Sequence, residues 1–307
     1  MFTLLTEPSS GFFKYLFKAK HIIKACFWVH LYGPNSVLQS ILEWFKDLGE
    51  THFNINPKEK DIEEIVFIPL WVESLRYAIW LKNRGLIKKI IAWPNISIPV
   101  KNNDIFFHPS IDTIIVPSQW VQDYFYSLIP HDRRIVVIPA GVETATISRK
   151  NEGIILYIKK CPPSLISDVR EKLQTQWILY KEFIYGNFQK SEYLEALKFT
   201  KWIVYLQESE SQWIALHEAW MHDVPTLVWN RGYWKYRDMI WHDMHISAPY
   251  LTDQCGIFFE EKNFSERLSL FLSNLSVYSP REYSLKNFTN AYIAKKILQQ
   301  ITGEDPK

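Results

Sequence analysis

The chain lacks any apolar run of about 18 residues, the length a helix needs to cross a bilayer, so nothing in it reads as a transmembrane segment. Cysteine is scarce: Cys26, Cys161 and Cys255 are the three in 307 residues. They lie far apart, form no CxxC and no Cys/His cluster, and three cannot all pair, so a reduced, cytoplasmic setting fits best. Charge of one sign is missing too. Charged residues make up 22% and the formal net charge is +2, which removes the global polyelectrolyte signal expected of a nucleic-acid binder. No secretory leader is legible, because Lys14, Lys18, Lys20 and Lys24 break up the early apolar residues. No Gly-x-Gly-x-x-Gly follows a first strand, which argues against a dinucleotide oxidoreductase. His242, Asp243 and His245 stand close together without a further partner at ligand spacing, so no metal is expected. Internal repeats and low-complexity tracts are absent as well.

What is present is a large apolar content, 47%, with 16% aromatics, enough for a packed globule. The length exceeds what one core usually serves, and two domains of about 150 residues each are the expectation. Near the N-terminus, Phe12, Phe13, Leu16, Phe17, Ile22 and Ile23 alternate with four lysines. Residues 12–24 are therefore compatible with a basic amphipathic helix in peripheral contact with a membrane, at the inner face of the cell boundary. The commoner reading is a helix docked on the core with its lysines in water.

The chain is organised around Leu206 to Trp229. Trp202-Ile203-Val204-Tyr205-Leu206 is short and β-rich, as a buried strand should be. A polar turn from Gln207 to Ser211 crowds two carboxylates and two hydroxyls together. Trp213, Ile214, Leu216, Ala219 and Trp220 then recur at helical spacing, and the helix should stop near His222-Asp223 ahead of Pro225. Thr226 to Trp229 follows as a second strand. Strand, turn, helix and strand make a βαβ unit of a parallel sheet. The turn at the strand's carboxyl end opens a ligand crevice, and the helix N-terminus behind it attracts anions. Glu210 and Glu218 are eight positions apart, about two helical turns, which predicts one shared face and a separation of ~12 Å. That is too far for a shared proton and suits one long ligand touched at two points. Their ordinary alternative is a pair of helix charges, one favoured by the macrodipole and one solvated.

The text Glu-Ser-Gln-Trp-Ile-Ala-Leu-His-Glu-Ala-Trp-Met-His-Asp-Val-Pro-Thr-Leu-Val, residues 210–228, resembles the donor-site signature of retaining, sugar-nucleotide-dependent glycosyltransferases with the GT-B fold, of the family 4 type. The resemblance implies an α/β chain of two Rossmann-like domains facing across a cleft. It implies that Glu218 holds ribose hydroxyls of a nucleoside-diphosphate sugar, that Glu210 lies by the transferred sugar, and that Ser211, Gln212 and Trp213 line the diphosphate. It departs from the family where Gly is usual one and three residues after the first Glu: here stand Ser211 and Trp213, which narrow the sugar pocket or change the donor. Lys160 matches a family Arg facing the diphosphate, while Lys159 stands where that family has Gly. Cations there would meet the charge that builds on a leaving diphosphate. Their bland alternative is two solvated lysines at a strand end.

Towards the N-terminus, Ala25 to Leu31 reads as a first strand, Gly33-Pro34-Asn35-Ser36 as a turn, and Val37 to Phe45 as a helix. Gly33 and Asn35 would face the donor in such a fold. Residues 51–62 read as a polar surface loop. Strands follow at Ile65 to Leu70, Ile87 to Ala92, Ile111 to Val116 and Ile135 to Ile138, with helices over Trp71 to Leu81 and Val121 to Ser127. Ser118 is placed to cap the latter. Ile111 to Phe125 and Val136 to Glu143 resemble the end of the N-terminal domain in the same enzymes. A sugar-positioning or basic His is usual in that domain, and His30 and His108 are the candidates, each with a structural hydrogen-bonding role as its alternative. Thr144 to Glu152, polar and aperiodic, is the expected linker. Ile154 to Ile158 opens the second domain, Trp177 to Tyr180 and Phe183 to Gly186 read as short strands, and Glu192 to Phe199 as a helix. Cys255 to Phe259, a helix over Phe264 to Leu275 and a last helix from Ser279 to Gln300 complete the chain.

The expected division is an acceptor-side domain over 1–145, a donor-binding domain over 146–285, and a helix over 286–307 crossing back to the first. The expected partners are a nucleoside-diphosphate sugar and a glycan or lipid-linked acceptor, with no nucleic acid and no cofactor beyond the donor. The resemblance covers about 110–300 by motif and the first hundred residues by architecture. A non-catalytic GT-B relative that binds a nucleotide sugar or glycan is the competing reading. A sugar-nucleotide epimerase of the same fold would need its own carboxylate and His pattern, which is not found.

Overall fold

The computed structural model describes residues 1–9, 12–15, 17–18, 40–45, 53–69, 71–93, 103–129, 132–146, 153–212 and 214–303. The chain divides into two compact units, Met1–Gly141 with Asn290–Lys307, and Val142–Thr289.

Among the described residues, the first unit carries a six-stranded parallel sheet. Its strands are β1 (Phe2–Leu4), β2 (Phe53–Ile55), β3 (Ile65–Ile68), β4 (Lys89–Ala92), β5 (Thr113–Val116) and β6 (Ile135–Val137), in the order β2-β1-β3-β4-β5-β6. Helix α1 (Val72–Asn83) and helix α2 (Gln119–Tyr126) connect them. The inner strands β3, β4 and β5 are mostly apolar because a parallel sheet is covered on both faces. Two expectations are corrected here. The chain's first strand is Phe2–Leu4, too short to show a period, and the supposed loop over 51–62 contains β2, which pairs with it. Asn54 Oδ1 accepts from the buried Thr3 hydroxyl at 2.6 Å, a polar tie that period counting does not see. The strand expected at Ala25 to Leu31 lies outside the described residues. Ser118 sits at the N-cap of α2 with extended backbone, but its hydroxyl is buried without a partner and caps nothing. Within 12–24, Phe13 packs on Tyr77 and Trp80 of α1 while Phe12 and Tyr15 are exposed.

The second unit is built on β7 (Ile154–Ile158), β8 (Tyr180–Ile184), β9 (Ile203–Leu206), β10 (Thr226–Trp229) and β13 (Gly256–Phe259), all parallel, in the order β13-β10-β9-β7-β8. Between β10 and β13 lies an antiparallel hairpin, β11 (Tyr233–Tyr236) and β12 (Met239–His242). Side chains alternate between the two faces. Ile155, Tyr157, Ile203, Tyr205 and Val228 pack with helices α4 (Lys190–Leu197) and α5 (Ile214–Met221). Ile154, Leu156, Ile158, Val204, Leu206 and Leu227 pack with α3 (Pro163–Thr175) and α6 (Phe264–Ser273). Gly256 is obligatory: its φ is +146°, and a Cβ would lie 1.8 Å from the Thr226 carbonyl oxygen.

Several elements differ from expectation. Helix α3 was not anticipated, although Pro163 at its first turn and Leu165, Val169 and Leu173 at four-residue spacing are its signature. The two short runs near 180 are one strand. The hairpin turn carries Arg237 at φ +53°, where Gly or Asn would have announced it. The last helix is two, α7 (Pro280–Asn287) and α8 (Asn290–Thr302). Between them the backbone bonds Val142, whose N–H donates to Phe288 O at 2.8 Å, and Phe288 is buried against His217. In the first unit α8 buries Ile293, Ile297 and Ile301, and Lys89 Nζ donates to its terminal carbonyls, Gln300 O at 2.7 Å and Ile301 O at 3.1 Å.

Candidate functional site

The strand order of the second unit reverses between β7 and β9, so the crevice of this sheet opens outside the carboxyl ends of those two strands. The register brings the ends level: Ile158 pairs with Leu206 and with Ile184, and Val228 pairs with Tyr205. The residues that follow form one edge. Lys159 and Lys160 follow β7, Tyr185 follows β8, Gln207 to Glu210 follow β9, and Asn230 and Arg231 follow β10.

Lys159 Nζ is ion-paired with Glu210 Oε1 and lies 4.5 Å from the centre of the Tyr185 ring. Burial lowers the Lys159 ammonium to about 8, with repulsion from Lys160 adding to it. Lys160 is exposed, and its carbonyl accepts the Glu208 N–H at 2.9 Å. The turn is tied from the other side as well. Glu210 N–H donates to Ile246 O at 2.8 Å, Ser247 Oγ donates to Glu208 O at 3.2 Å, and the buried Gln207 amide donates to Ser247 O at 3.1 Å. Glu208 Oε2 pairs with Arg231 at 2.9 Å.

Glu218 lies in the second turn of α5, 7% exposed, with Oε1 at 2.9 Å from Lys190 Nζ. Burial pushes its carboxyl above the usual carboxylate range, Lys190 pulls it back, and Glu143 adds repulsion. Beneath the first turn of α5, the hydroxyls of Tyr193 and Tyr205 lie within hydrogen-bonding distance of each other and of Ala215 O, at 2.9 and 3.0 Å from that carbonyl; one hydroxyl donates to the other, which donates to the carbonyl. The helix ends with Asp223 in the left-handed region and Val224 N–H on Ala219 O, while Arg281 donates to Met221 O at 2.6 Å. Both ends of the helix that carries Glu218 are thus fixed by side chains from elsewhere in the unit.

The expected placement of the two glutamates needs correction. Glu210 is not helical: α5 begins at Ile214, so only part of the eight-residue interval follows a helix and a rise-based separation does not apply. Ser211 and Gln212 are half-buried in the turn, and the Gln212 amide nitrogen is buried with no hydrogen-bond partner. Trp213, His30, Gly33 and Asn35 lie outside the described residues. His108, in the first unit, closes a turn: its Nδ1 accepts the Ser110 N–H at 3.2 Å and its carbonyl the Ile111 N–H at 3.0 Å. The sequence gives no individual role to Glu208, Arg231 or Lys190, and offers Lys159 only as one of two cations at a strand end. Lys159 was assigned to a family glycine by register, and Arg231 follows a strand end with no motif to mark it. Among the described residues no group of three His, Cys, Asp or Glu is placed to hold a metal, and no helix is long and apolar enough to cross a membrane.

No protein-family model matches the sequence, and no curated protein does. Solved structures share the fold. The lipopolysaccharide outer core galactosyltransferase WaaB, in its apo form, superposes with a TM-score of 0.59 at 13% identity, over 98% of this chain and 99% of that one. WaaG, a glycosyltransferase involved in lipopolysaccharide biosynthesis, gives 0.52 at 10% identity over 99% and 100%. A GtfA/B complex gives 0.56 at 10% identity over 78% of this chain, which spans only 56% of the longer GtfA/B chain. The fold is that of the GT-B glycosyltransferases: two Rossmann-like α/β units in one chain.

Proposed function

We propose that the chain is a glycosyltransferase that moves a sugar from a nucleoside-diphosphate sugar to a glycan or lipid-linked acceptor, without a metal and with retention of configuration, as the family 4 resemblance implies. The observation that carries the reading is the Lys159–Glu210 pair at the switch point of a Rossmann-like unit, with the buried Glu218 eight residues further along the chain. In a GT-B unit, this edge is where a donor diphosphate meets cations and a helix N-terminus.

Each group then has a task. Glu218 accepts hydrogen bonds from ribose hydroxyls, and its burial makes those bonds strong because water does not compete. Lys159 and Lys160 neutralise the diphosphate as the glycosidic bond breaks, when negative charge accumulates on the leaving group. The Gln212 amide, buried without a partner, supplies a donor that a phosphate or sugar oxygen would satisfy. Glu210, freed from Lys159 by the arriving anion, faces the transferred sugar. Orientation and electrostatics supply most of the acceleration in this scheme. Unit 1 takes the acceptor, and contact of residues 12–24 with a membrane, where Phe12 and Tyr15 are exposed, would bring a lipid-linked acceptor within reach. WaaB and WaaG, both concerned with lipopolysaccharide, share this fold, which supports a cell-surface polysaccharide as the product class.

The test is a thermal-shift titration against UDP, GDP, ADP and CMP and their sugar conjugates. Ligand at about a hundred times its dissociation constant stabilises the folded state by about 2.7 kcal/mol. A selective rise with one nucleotide identifies the donor class; no rise with any of them sinks the reading. Binding with no release of nucleoside diphosphate, with or without candidate acceptors, would assign the chain to the non-catalytic relatives instead.

A further inference from the structure

The carboxyl edge of the second sheet carries a pair that the donor reading above does not use. Arg231, just past β10, holds Glu208 Oε2 at 2.9 Å. Its guanidinium lies 4.0 Å from the centre of the Tyr233 ring and donates to the Tyr233 hydroxyl at 2.7 Å. Its backbone N–H donates to Ser247 Oγ at 3.4 Å, and that hydroxyl in turn donates to Glu208 O. The guanidinium is therefore held by Glu208 and Tyr233 and the backbone behind it by Ser247, and its side chain is still 19% exposed, with 31% for Glu208. Glu208 also sits between the two cations along the edge: its N–H is bound by Lys160 O, and Glu210, two residues on, holds Lys159.

Arg231 and Lys159 thus flank the polar turn from β10 and β7, each neutralised by a carboxylate of that same turn. Both pairs are partly open to solvent, where an ion pair contributes little to stability and exchanges partners readily. A guanidinium, planar and preset by an aromatic ring, is also the side chain best shaped for bidentate contact with phosphate oxygens.

We propose that Arg231 is a second anion-binding residue of the donor crevice, stored on Glu208 in the ligand-free chain and transferred to the diphosphate when the donor binds. The proposal rests on the donor-site reading above. It makes Glu208 a competitor of the substrate: the carboxylate lowers the affinity of the empty site for anions and re-engages Arg231 when the nucleoside diphosphate leaves, which favours product release. Removing Glu208 should therefore tighten anion binding, an outcome that misfolding cannot imitate.

The experiment is a calorimetric titration of the full chain with inorganic pyrophosphate, a base-free and sugar-free probe. The variants are Arg231→Gln, Glu208→Gln and the double substitution, with exposed Lys262→Gln as the control for net charge. The expected result is a dissociation constant about tenfold higher for Arg231→Gln, the scale of one charge-assisted hydrogen bond. Glu208→Gln should bind about tenfold more tightly, the double variant should lose that gain, and Lys262→Gln should match wild type. Unchanged affinity in Arg231→Gln, or a gain in Glu208→Gln that survives removal of Arg231, overturns the proposal. A parallel titration with glucuronate separates the sources of the oxyanion: Arg231-dependent binding of glucuronate but not of pyrophosphate would assign the arginine to a sugar carboxylate and overturn the diphosphate assignment. If the wild-type chain binds neither pyrophosphate nor any nucleoside diphosphate, the donor-site reading itself fails; if it binds them and Arg231 is indifferent, only this proposal does.

Discussion

Lys159 and Glu210 are ion-paired across the point where the strand order of the second sheet reverses, one from the end of β7 and the other from the turn after β9. The β7–β9 ladder holds this pair in place, because Lys159 N–H donates to Leu206 O at 2.9 Å and Glu208 N–H to Lys160 O at 2.9 Å. A cation and a carboxylate at that point are a partly buried pair whose partners an incoming anion exchanges, and the electrostatics of the site follow from it.

The first prediction concerns pH. Burial lowers Lys159 from 10.5 to about 8. Nucleoside-diphosphate affinity should weaken as pH rises through about 8, as the ammonium loses its proton, and Lys159→Met should remove that dependence. The same shift acts on folding with the opposite sign. Between about 8 and 10.5 the unfolded chain binds more protons than the folded one, so this group adds stability as pH rises across that window. Titrations and melts at pH 7 and 9 check both.

Glu218→Ala should weaken nucleotide binding by about 1.5–3 kcal/mol, the value of hydrogen bonds to a charged partner. Its ion-pair partner Lys190 has a side chain 62% exposed, so the ammonium left behind stays hydrated. The nucleotide dissociation constant of the variant is the measurement; an unchanged value removes Glu218 from the ribose.

Glu210→Gln should lower turnover while leaving the melting temperature near that of the parent, since its pair with Lys159 is partly exposed and worth about 1 kcal/mol or less. Release of nucleoside diphosphate from the donor identified by thermal shift reads the turnover. Full activity in this variant would take Glu210 out of the reaction.

Gly256→Ala should destabilise the second unit by at least about 2 kcal/mol, because the added carbon combines a left-handed backbone with a clash against a strand carbonyl. A melting midpoint lower by about 4 °C or more is the expected reading for a chain of this size.

The strands around the site were legible because burial on both faces forces continuous apolar runs: Ile154 to Ile158 and Thr226 to Trp229 read from sequence with the bounds they have in the structure. Helix α3 carries its signal in Leu165, Val169 and Leu173, whose four-residue spacing is legible in the sequence. The hairpin gave no such signal, because Arg237 occupies a backbone conformation that sequence rules reserve for Gly and Asn. Phe2–Leu4 was illegible for a different reason: three residues are too few to define a period, and the strand is fixed by partners more than 50 positions away.

By itself the sequence determined the strands β7, β9 and β10, the helix α5 and the polar turn at the carboxyl end of β9, since these follow from local burial and turn chemistry. It also placed Glu218 on a helix. Only the tertiary structure decided which cation meets which carboxylate. Lys159 rather than Lys160 reaches Glu210, Arg231 reaches Glu208, and Lys190 reaches Glu218. The first two pairs join loops that follow different strands and the third joins two helices, and their meeting depends on strand order and register, which a one-dimensional pattern does not encode.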